Sequence, residues 1–571
     1  MNVRYFLVLF FLFPFLLQPA QADELIEGYT HEEVLRLGEQ MYREGILPSG
    51  EPMEALVMGD IPFDGRMFTC DDCHQRSGLG SEEGTVITWP TNGKELFAPR
   101  RRTGAYRPPA AEEGEQGGRR ELPEYYQVAD VRPAYTDKSL ARLLRVGIDP
   151  TGRRLDPIMP KYRLSSKNLA ILTYYLKHLS SEMSPGVDDT TIHFATVIDT
   201  SVSDVRRSAM LSVLQAHIDA HNSLSRHEDK RAASGPFYKS EKHKAYRKLN
   251  LHIWELTGPS ETWREQLEHY YDEQPVFALL GGIAEGSWKT IHSFSEDLKI
   301  PTIFPITDRP EISNSDWYTL YFSKGYYQEG ESVAKYVRSQ LGVSGDFRVV
   351  QLYSKNNPKA VEMSAGFDST WQQMGGLTGQ KLLFMQGDVV RENVWKEVFK
   401  DDTPVVLLFW VDDSDKDLYL RLEEYRNKVA MVFTSASILN NDFSSISDTL
   451  RTKILVTYPY SMPESETRSR FSVERWLKAR KIPLTDFDIQ AKMYFLGWML
   501  PGAIKNMRSE FFRDYFLEGF DMMIDQDYSI AVYPRLTFGP GQRYASKGCY
   551  IVKLSSGTSP EMTPVNDWVT Y

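Results

Sequence analysis

FTCDDCHQRSGLG, residues 68–80, holds two of the chain's three cysteines, Cys70 and Cys73, with His74 directly behind. Two thiols and an imidazole at this spacing suit several chemistries. A structural zinc site needs about four ligands, yet there is no second Cys pair, and His31 has no ligand spacing to this one. A thioredoxin-like dithiol opens a helix after a buried strand, whereas the preceding MGDIPFDGRMF is punctuated by Gly and Pro. A simple disulfide has no use for the adjacent His. Cys-x-x-Cys-His is the attachment sequence of c-type haem. Its two thiols reach the two vinyl groups, and the next residue lies under the iron as its proximal ligand. The expectation is one covalently attached haem c on Cys70 and Cys73, with His74 on the iron. A structural or redox dithiol is the alternative.

Export fits that chemistry, because bacterial c-type haem is attached outside the cytoplasm. The chain opens MNVRYFLVLFFLFPFLLQPAQADE. Arg4 precedes an apolar run from Tyr5 to Leu17, and Ala20-Gln21-Ala22 is a small-x-small cleavage signal. Residues 1–22 thus read as a signal peptide cut after Ala22. The run is shorter than the ~20 residues of a membrane span, and no later stretch is long and apolar enough to cross. The expected location is the periplasm. A net charge of −11 leaves no basic surplus for general nucleic-acid binding. At 571 residues the chain exceeds one core and calls for about two to four domains.

A haem iron in an electron carrier commonly takes a sixth ligand, often Met. Met159 lies in GIDPTGRRLDPIMPKYRLSSKNLAILTYYLKHLS, whose Asp-Pro, Thr-Gly and Met-Pro steps make a loop. A helix then starts after Ser165 or Ser166 with Leu169, Leu172, Tyr175, Leu176 and Leu179 on one face. Met159 is the expected distal ligand. The helix HEEVLRLGEQMYREGILPSG, the Cys70–His74 motif, YTDKSLARLLRVGIDPTGRRLDPIMPKY and the closing helix together resemble the class I cytochrome c domain. The resemblance implies an all-α cytochrome unit over residues 23–180. Met159 stands farther from His74 than in compact members, and the extra length falls in residues 91–133. That stretch mixes Arg100-Arg101-Arg102, Pro108-Pro109 and Glu112-Glu113, the composition of an exposed charged loop.

SSEMSPGVDDT, with the linker set at 181–190, is followed by short apolar runs alternating with helical patterns. The runs are IHFATVID (192–199), LNLHIWEL (249–256), VFALLG (276–281), PTIFPI (301–306), DFRVVQLY (346–353), KLLFMQ (381–386), PVVLLFWV (404–411), VAMVFTS (429–435) and TKILVTYPY (452–460). Such alternation means parallel sheets and an α/β class, here in two sheets over 191–571. The order of LLGGIAEGSWKTIHSFSEDLKIPTIFPITDRPEI, YFSKGYYQEGESVAKYV, FDIQAKMYFLGWMLPGAIKNM and LTFGPGQRYASKGCYIVKL resembles the type I periplasmic ligand-binding fold of branched-chain amino-acid receptors. That fold implies two lobes, three crossings and a cleft that closes on a small ligand. Carried over, the carboxylate-holding loops contain Gly286, Ser287, Thr307 and Asp308, with Tyr326 from the second lobe. Asp308 and Glu285 repel a carboxylate, so a cation, an amine, an alcohol or a metal-bearing cofactor is the more compatible ligand.

No phosphate loop, G-x-S-x-G elbow or H-E-x-x-H occurs, so no enzyme is expected. Cys549, in SKGCYIVKL, reads as a buried free thiol. The whole is expected to be an exported monohaem electron carrier whose α/β module docks a periplasmic redox partner, with a quinoprotein dehydrogenase as one such setting, or binds a small molecule. The alternatives are a solute receptor of a transporter or sensor with haem as redox gauge, and a ligand-free scaffold.

Overall fold

The computed structural model describes residues 26–57, 61–83, 86–101, 131–224, 246–343, 346–377, 380–384, 391–415, 417–463, 467–523, 527–557, 560–565 and 567–570. The expected signal peptide and most of the charged loop of 91–133 lie outside the described residues. The chain divides into two compact units, Met1–Glu182 and Met183–Tyr571.

The first unit is built on two long helices. Thr30 starts His31–Glu44 with a capping box in which its own N–H donates to Glu33 Oε2 at 2.9 Å. Gly45, at φ 65°, ends it. Val34, Leu37, Met41 and Tyr42 pack in one core with Leu169, Leu172, Tyr175 and Leu176 of the helix Ser166–His178. The two helices approach closely at Gly38, where a Cβ would overlap the Tyr175 side chain. Asp137–Val146 adds Leu140, Leu143 and Leu144 to the same core. The unit is not purely helical, in contrast to the all-α expectation. Glu54–Val57 pairs antiparallel with Ile61–Asp64 on one side and Lys161–Tyr162 on the other. The cause is local: Ala55 and Val57 alternate inward with period 2, the strand pattern, rather than at helical spacing.

The second unit has two α/β lobes. In the first lobe the strands run Thr319–Leu320, Thr302–Ile303, Ala278–Leu280, Thr191–Asp199, Lys248–Leu256, all parallel. The second sheet runs Gln380–Phe384, Arg348–Ser354, Val405–Trp410, Val429–Ser435, Ile454–Tyr458 in parallel, then turns antiparallel at Gly548–Leu554 and Met562–Pro564. Val405–Trp410 is buried at all six positions, as a strand covered on both faces requires. The helix Phe487–Met507 contributes Ile489, Met493, Leu496 and Leu500 to the core of the first lobe, and Gly548–Leu554 returns to the second sheet. The chain therefore crosses between lobes three times: before Arg348, after Tyr458 and before Gly548.

Two helices of the second lobe, Tyr326–Leu341 and Pro358–Gln373, touch backbone to backbone. A Cβ on Gly330 would overlap the Met363 carbonyl oxygen, and one on Gly366 that of Tyr327. Gly330→Ala is expected to lower stability by about 1–3 kcal/mol, the usual range for overpacking. Gly519→Ala, where a Cβ meets nothing within 4 Å, should raise it by about 0.5–1 kcal/mol through helix propensity. Urea denaturation of both variants checks this. Equal effects of one sign would mean the close approach is not what fixes Gly330.

Candidate functional sites

In the first unit the motif residues form the short helix Cys70–His74. Thr69 opens it, its N–H donating to Asp72 Oδ2 at 2.9 Å. Gln75, at φ 64°, closes it. The helix is clamped at both ends by buried tyrosines. Tyr162 Oη donates to the Phe68 carbonyl and Tyr42 Oη to the Gln75 carbonyl, each at 2.9 Å. Cys70 packs against the core while Cys73 is exposed, and no disulfide joins them. Burial, with the Asp71 charge next, pushes the Cys70 thiol up to about 12. That is opposite to the depressed pKa of a redox-active dithiol.

His74 decides what this helix can hold. Its Nδ1 lies 2.8 Å from the Trp89 carbonyl oxygen. A carbonyl only accepts, so Nδ1 carries the proton and Nε2 presents its lone pair. Burial lowers the imidazole's pKa to about 4, against the opposing pull of that hydrogen bond, so the ring is neutral at physiological pH. Nε2 is shielded from solvent and has no hydrogen-bond partner. A neutral imidazole, oriented through Nδ1 and with Nε2 orphaned, is the form that binds a metal. The donor set therefore fits a haem iron. Trp89, whose carbonyl fixes the tautomer, is a residue that motif reading passes over, since only its backbone takes part. Met159 sits in a turn, its N–H on the Asp156 carbonyl at 3.0 Å, partly buried against the same core as Cys70. Pairing of the adjacent Lys161–Tyr162 with Glu54–Val57 anchors that turn.

The second unit contains a cavity with about 230 Å³ of empty space, its mouth included, lined by Asp308, Ser323, Gly325, Tyr326, Glu329, Ser437, Pro459, Tyr460 and Tyr533. It lies where the lobes meet, at the start of the helix Tyr326–Leu341. Gly325 is required there: it sits at φ 56°, and a Cβ would overlap the Asp308 carbonyl oxygen. Of the residues singled out in the sequence, Asp308 and Tyr326 line the cavity and three do not. Ser287 Oγ accepts from the Lys289 N–H at 3.2 Å, and Thr307 Oγ1 from the Arg309 N–H at 3.0 Å. Gly286 is an exposed turn residue at φ 96°. Glu285, the other carboxylate of that loop, pairs with Arg206.

Glu329 was not singled out, although it is the chemical centre of the cavity. It is 1% exposed. Burial pushes its carboxyl up to about 7, against the hydroxyls of Ser437, Thr457 and Ser435. Thr457 Oγ1 donates to Oε2, while Oε1 makes no hydrogen bond. Ser437 Oγ, buried on the same cavity, makes none of ordinary geometry either. Glu329 follows Tyr326 by three residues, so the two share a helix face. That spacing was the available signal. Close by, Lys492 is buried among aromatic rings, 5.4 Å from that of Tyr533. Burial lowers its pKa, but Tyr533, Asp308 and Asp488 outweigh that and raise it overall.

No protein-family model and no curated protein matches the chain. Solved structures do, over about two thirds of its length. An ABC transporter substrate-binding protein from Sphaerobacter thermophilus aligns at 14% identity and TM-score 0.45, covering 66% of this chain and 98% of that one. A branched-chain amino acid ABC transporter structure from Thermus thermophilus with bound valine aligns at 11% identity and TM-score 0.43, covering 68% and 97%. A solute-binding protein of an ABC transporter from Rhodopseudomonas palustris, in complex with 3,4-dihydroxybenzoic acid, aligns at 12% identity and TM-score 0.43, covering 67% and 99%.

Proposed function

We propose that this chain is an exported electron-transfer protein: a cytochrome c unit carrying one haem, joined to a two-lobed module that binds a small ligand. The observation that carries the first half is His74, neutral, oriented by the Trp89 carbonyl and with its Nε2 buried and unpartnered. Cys70 and Cys73 would hold the group as thioethers, His74 would be the proximal ligand and Met159 the distal one. When bound, the haem supplies reversible one-electron transfer. The protein's part is to fix the imidazole's tautomer, to keep its lone pair out of water, and to present Cys73 at the surface while Cys70 anchors in the core.

The ligand-binding half rests on the cavity. A scaffold that had lost its ligand would be expected to plug the space between its lobes. Here a small space of about 10 Å³ remains, bordered by two buried polar atoms, Glu329 Oε1 and Ser437 Oγ, and unpartnered buried polar groups are costly unless something pairs with them. A redox partner docking on the same chain, a periplasmic quinoprotein dehydrogenase for example, is compatible with this arrangement.

The haem assignment is tested on protein made in a host with c-type haem attachment machinery. One haem per chain and a reversible change in its visible spectrum on reduction are expected. Met159→His should lower the midpoint potential by a tenth or more of the roughly 0.8 V range that axial ligation commands, read by potentiometric titration. An unchanged potential would remove Met159 from the iron and leave His74 in place.

A further inference from the structure

The chemistry of the cavity walls goes beyond the presence of a binding site. We propose that the cavity between the lobes takes a small primary ammonium ion, held by the carboxylates of Asp308 and Glu329 and walled by the rings of Tyr326, Tyr460 and Tyr533. This rests on the ligand-binding half of the function proposed above and names its class of ligand.

Three observations converge on a cation that donates hydrogen bonds. First, the unmet need in the cavity is for a donor. An ionised Glu329 only accepts, and its Oε1 has no partner. A carboxylate ligand has no proton to give it. A primary ammonium offers three N–H groups, enough for Glu329 Oε1, Asp308 and the Ser437 hydroxyl together. Second, the fixed charge is negative. Asp308 and Asp488 face the buried ammonium of Lys492, and Asp308 also faces Glu329, which has no cation of its own among the causes that shift it. The next basic groups are engaged elsewhere: Arg309 Nε pairs with Glu362 at 2.7 Å, and Lys359 Nζ, 5.6 Å from the Tyr326 ring, reaches Asn440. Third, the apolar lining is aromatic. Tyr460 lies 6.2 Å from Tyr533 between ring centroids, and tyrosine faces attract ammonium groups.

The opposite case is the helix start. The N-terminus of Tyr326–Leu341 would favour an anion. Its first amide is already taken, however, Tyr326 N–H donating to the Asp308 carbonyl at 3.1 Å. An anion entering here would meet Asp308 and Glu329 without that donor. The volume also limits the ligand. The space left for a bound group is only about 10 Å³, room for little more than a water-sized group, so the group held is very small.

The test is calorimetric titration of the full-length protein, in phosphate buffer at pH 8, with three probes of similar size: methylammonium, acetamide and acetate. Saturable binding of methylammonium, at least tenfold tighter than of the other two, is expected. Methylammonium keeps its charge between pH 5.5 and pH 8, while Glu329 does not, so binding should weaken at least tenfold at pH 5.5. The groups facing Glu329 are Asp308, Tyr326, Tyr460, Cys549 and the hydroxyls of Ser435, Ser437 and Thr457. Glu329→Gln should weaken binding at pH 8 at least tenfold, and Asp308→Asn should do so independently if the first variant folds poorly. Acetamide or acetate binding as tightly as methylammonium, or full binding by both folded variants, would overturn the ammonium assignment and leave a ligand site of another class. No saturable heat with any of the three would overturn the assignment and the ligand-binding reading together.

Discussion

Replacing both Cys70 and Cys73 by serine should abolish covalent haem entirely, the largest effect expected for any substitution in the chain. The two thiols belong to one short helix, and no third thiol is available to substitute for them. Cys549 is 0% exposed and belongs to the other unit. Each single variant can keep one thioether, so each should retain haem through denaturation at reduced yield, and the pair should retain none. The readout is haem that stays with the polypeptide after denaturing electrophoresis, with intact mass as confirmation. His74→Ala separates attachment from ligation: both thiols remain, so the mass gain survives while the spectrum of the iron changes. Haem retained by the double variant under denaturing conditions would mean attachment elsewhere. A wild-type chain that gains no mass in a host with the attachment machinery would return the motif to its other reading, a structural dithiol.

The fold of the larger unit was legible because buried parallel strands announce themselves as continuous apolar runs. IHFATVID becomes Thr191–Asp199 and PVVLLFWV becomes Val405–Trp410. Short elements gave no such signal. Thr319–Leu320 is two residues long and owes its existence to pairing with Thr302–Ile303. Met562–Pro564 is held by Gly548–Leu554, not by its own pattern. In the smaller unit the strands around Glu54 were missed for the same reason: a four-residue alternation is brief, and a pairing partner about a hundred positions downstream, Lys161–Tyr162, is invisible to local reading. The sites divide likewise. Cys70, Cys73 and His74 are legible because the covalent attachment proposed for them would fix their spacing. The Trp89 carbonyl is not, because any residue supplies a carbonyl. Asp308, from a loop, and Tyr326, from the second lobe, came from the resemblance to the type I ligand-binding fold. Glu329 did not, because GYYQEGESVAKYV carries its acidic residues where a solvated helix face would. Only packing reveals that Glu329 points inward.

That packing sets the second large effect. Glu329's carboxyl rises from an ordinary 4.5 to about 7 in the folded chain, chiefly through burial. Between those values the unfolded state has released the proton and the native state still holds it. Stability therefore falls as pH rises through this window, because the unfolded state binds fewer protons. The full shift corresponds to about 3 kcal/mol. Below the lower value both states are protonated and the penalty vanishes; above about 7 both are ionised and it is complete. Glu329→Gln removes the charge while keeping an oxygen that can accept from Thr457. The variant should match the wild type at pH 4 and exceed it at pH 8 by up to about 3 kcal/mol. Burial raises other carboxyls as well, Glu296, Glu331 and Glu362 among them, so both proteins will lose stability with rising pH. The difference between them isolates Glu329. Thermal unfolding of the larger unit, followed in phosphate so that no amine buffer occupies the cavity, gives that difference directly. A variant less stable than the wild type at pH 8 would mean that the carboxylate is compensated in the free protein, its orphan oxygen already satisfied. The cavity would then have no standing demand for a cation.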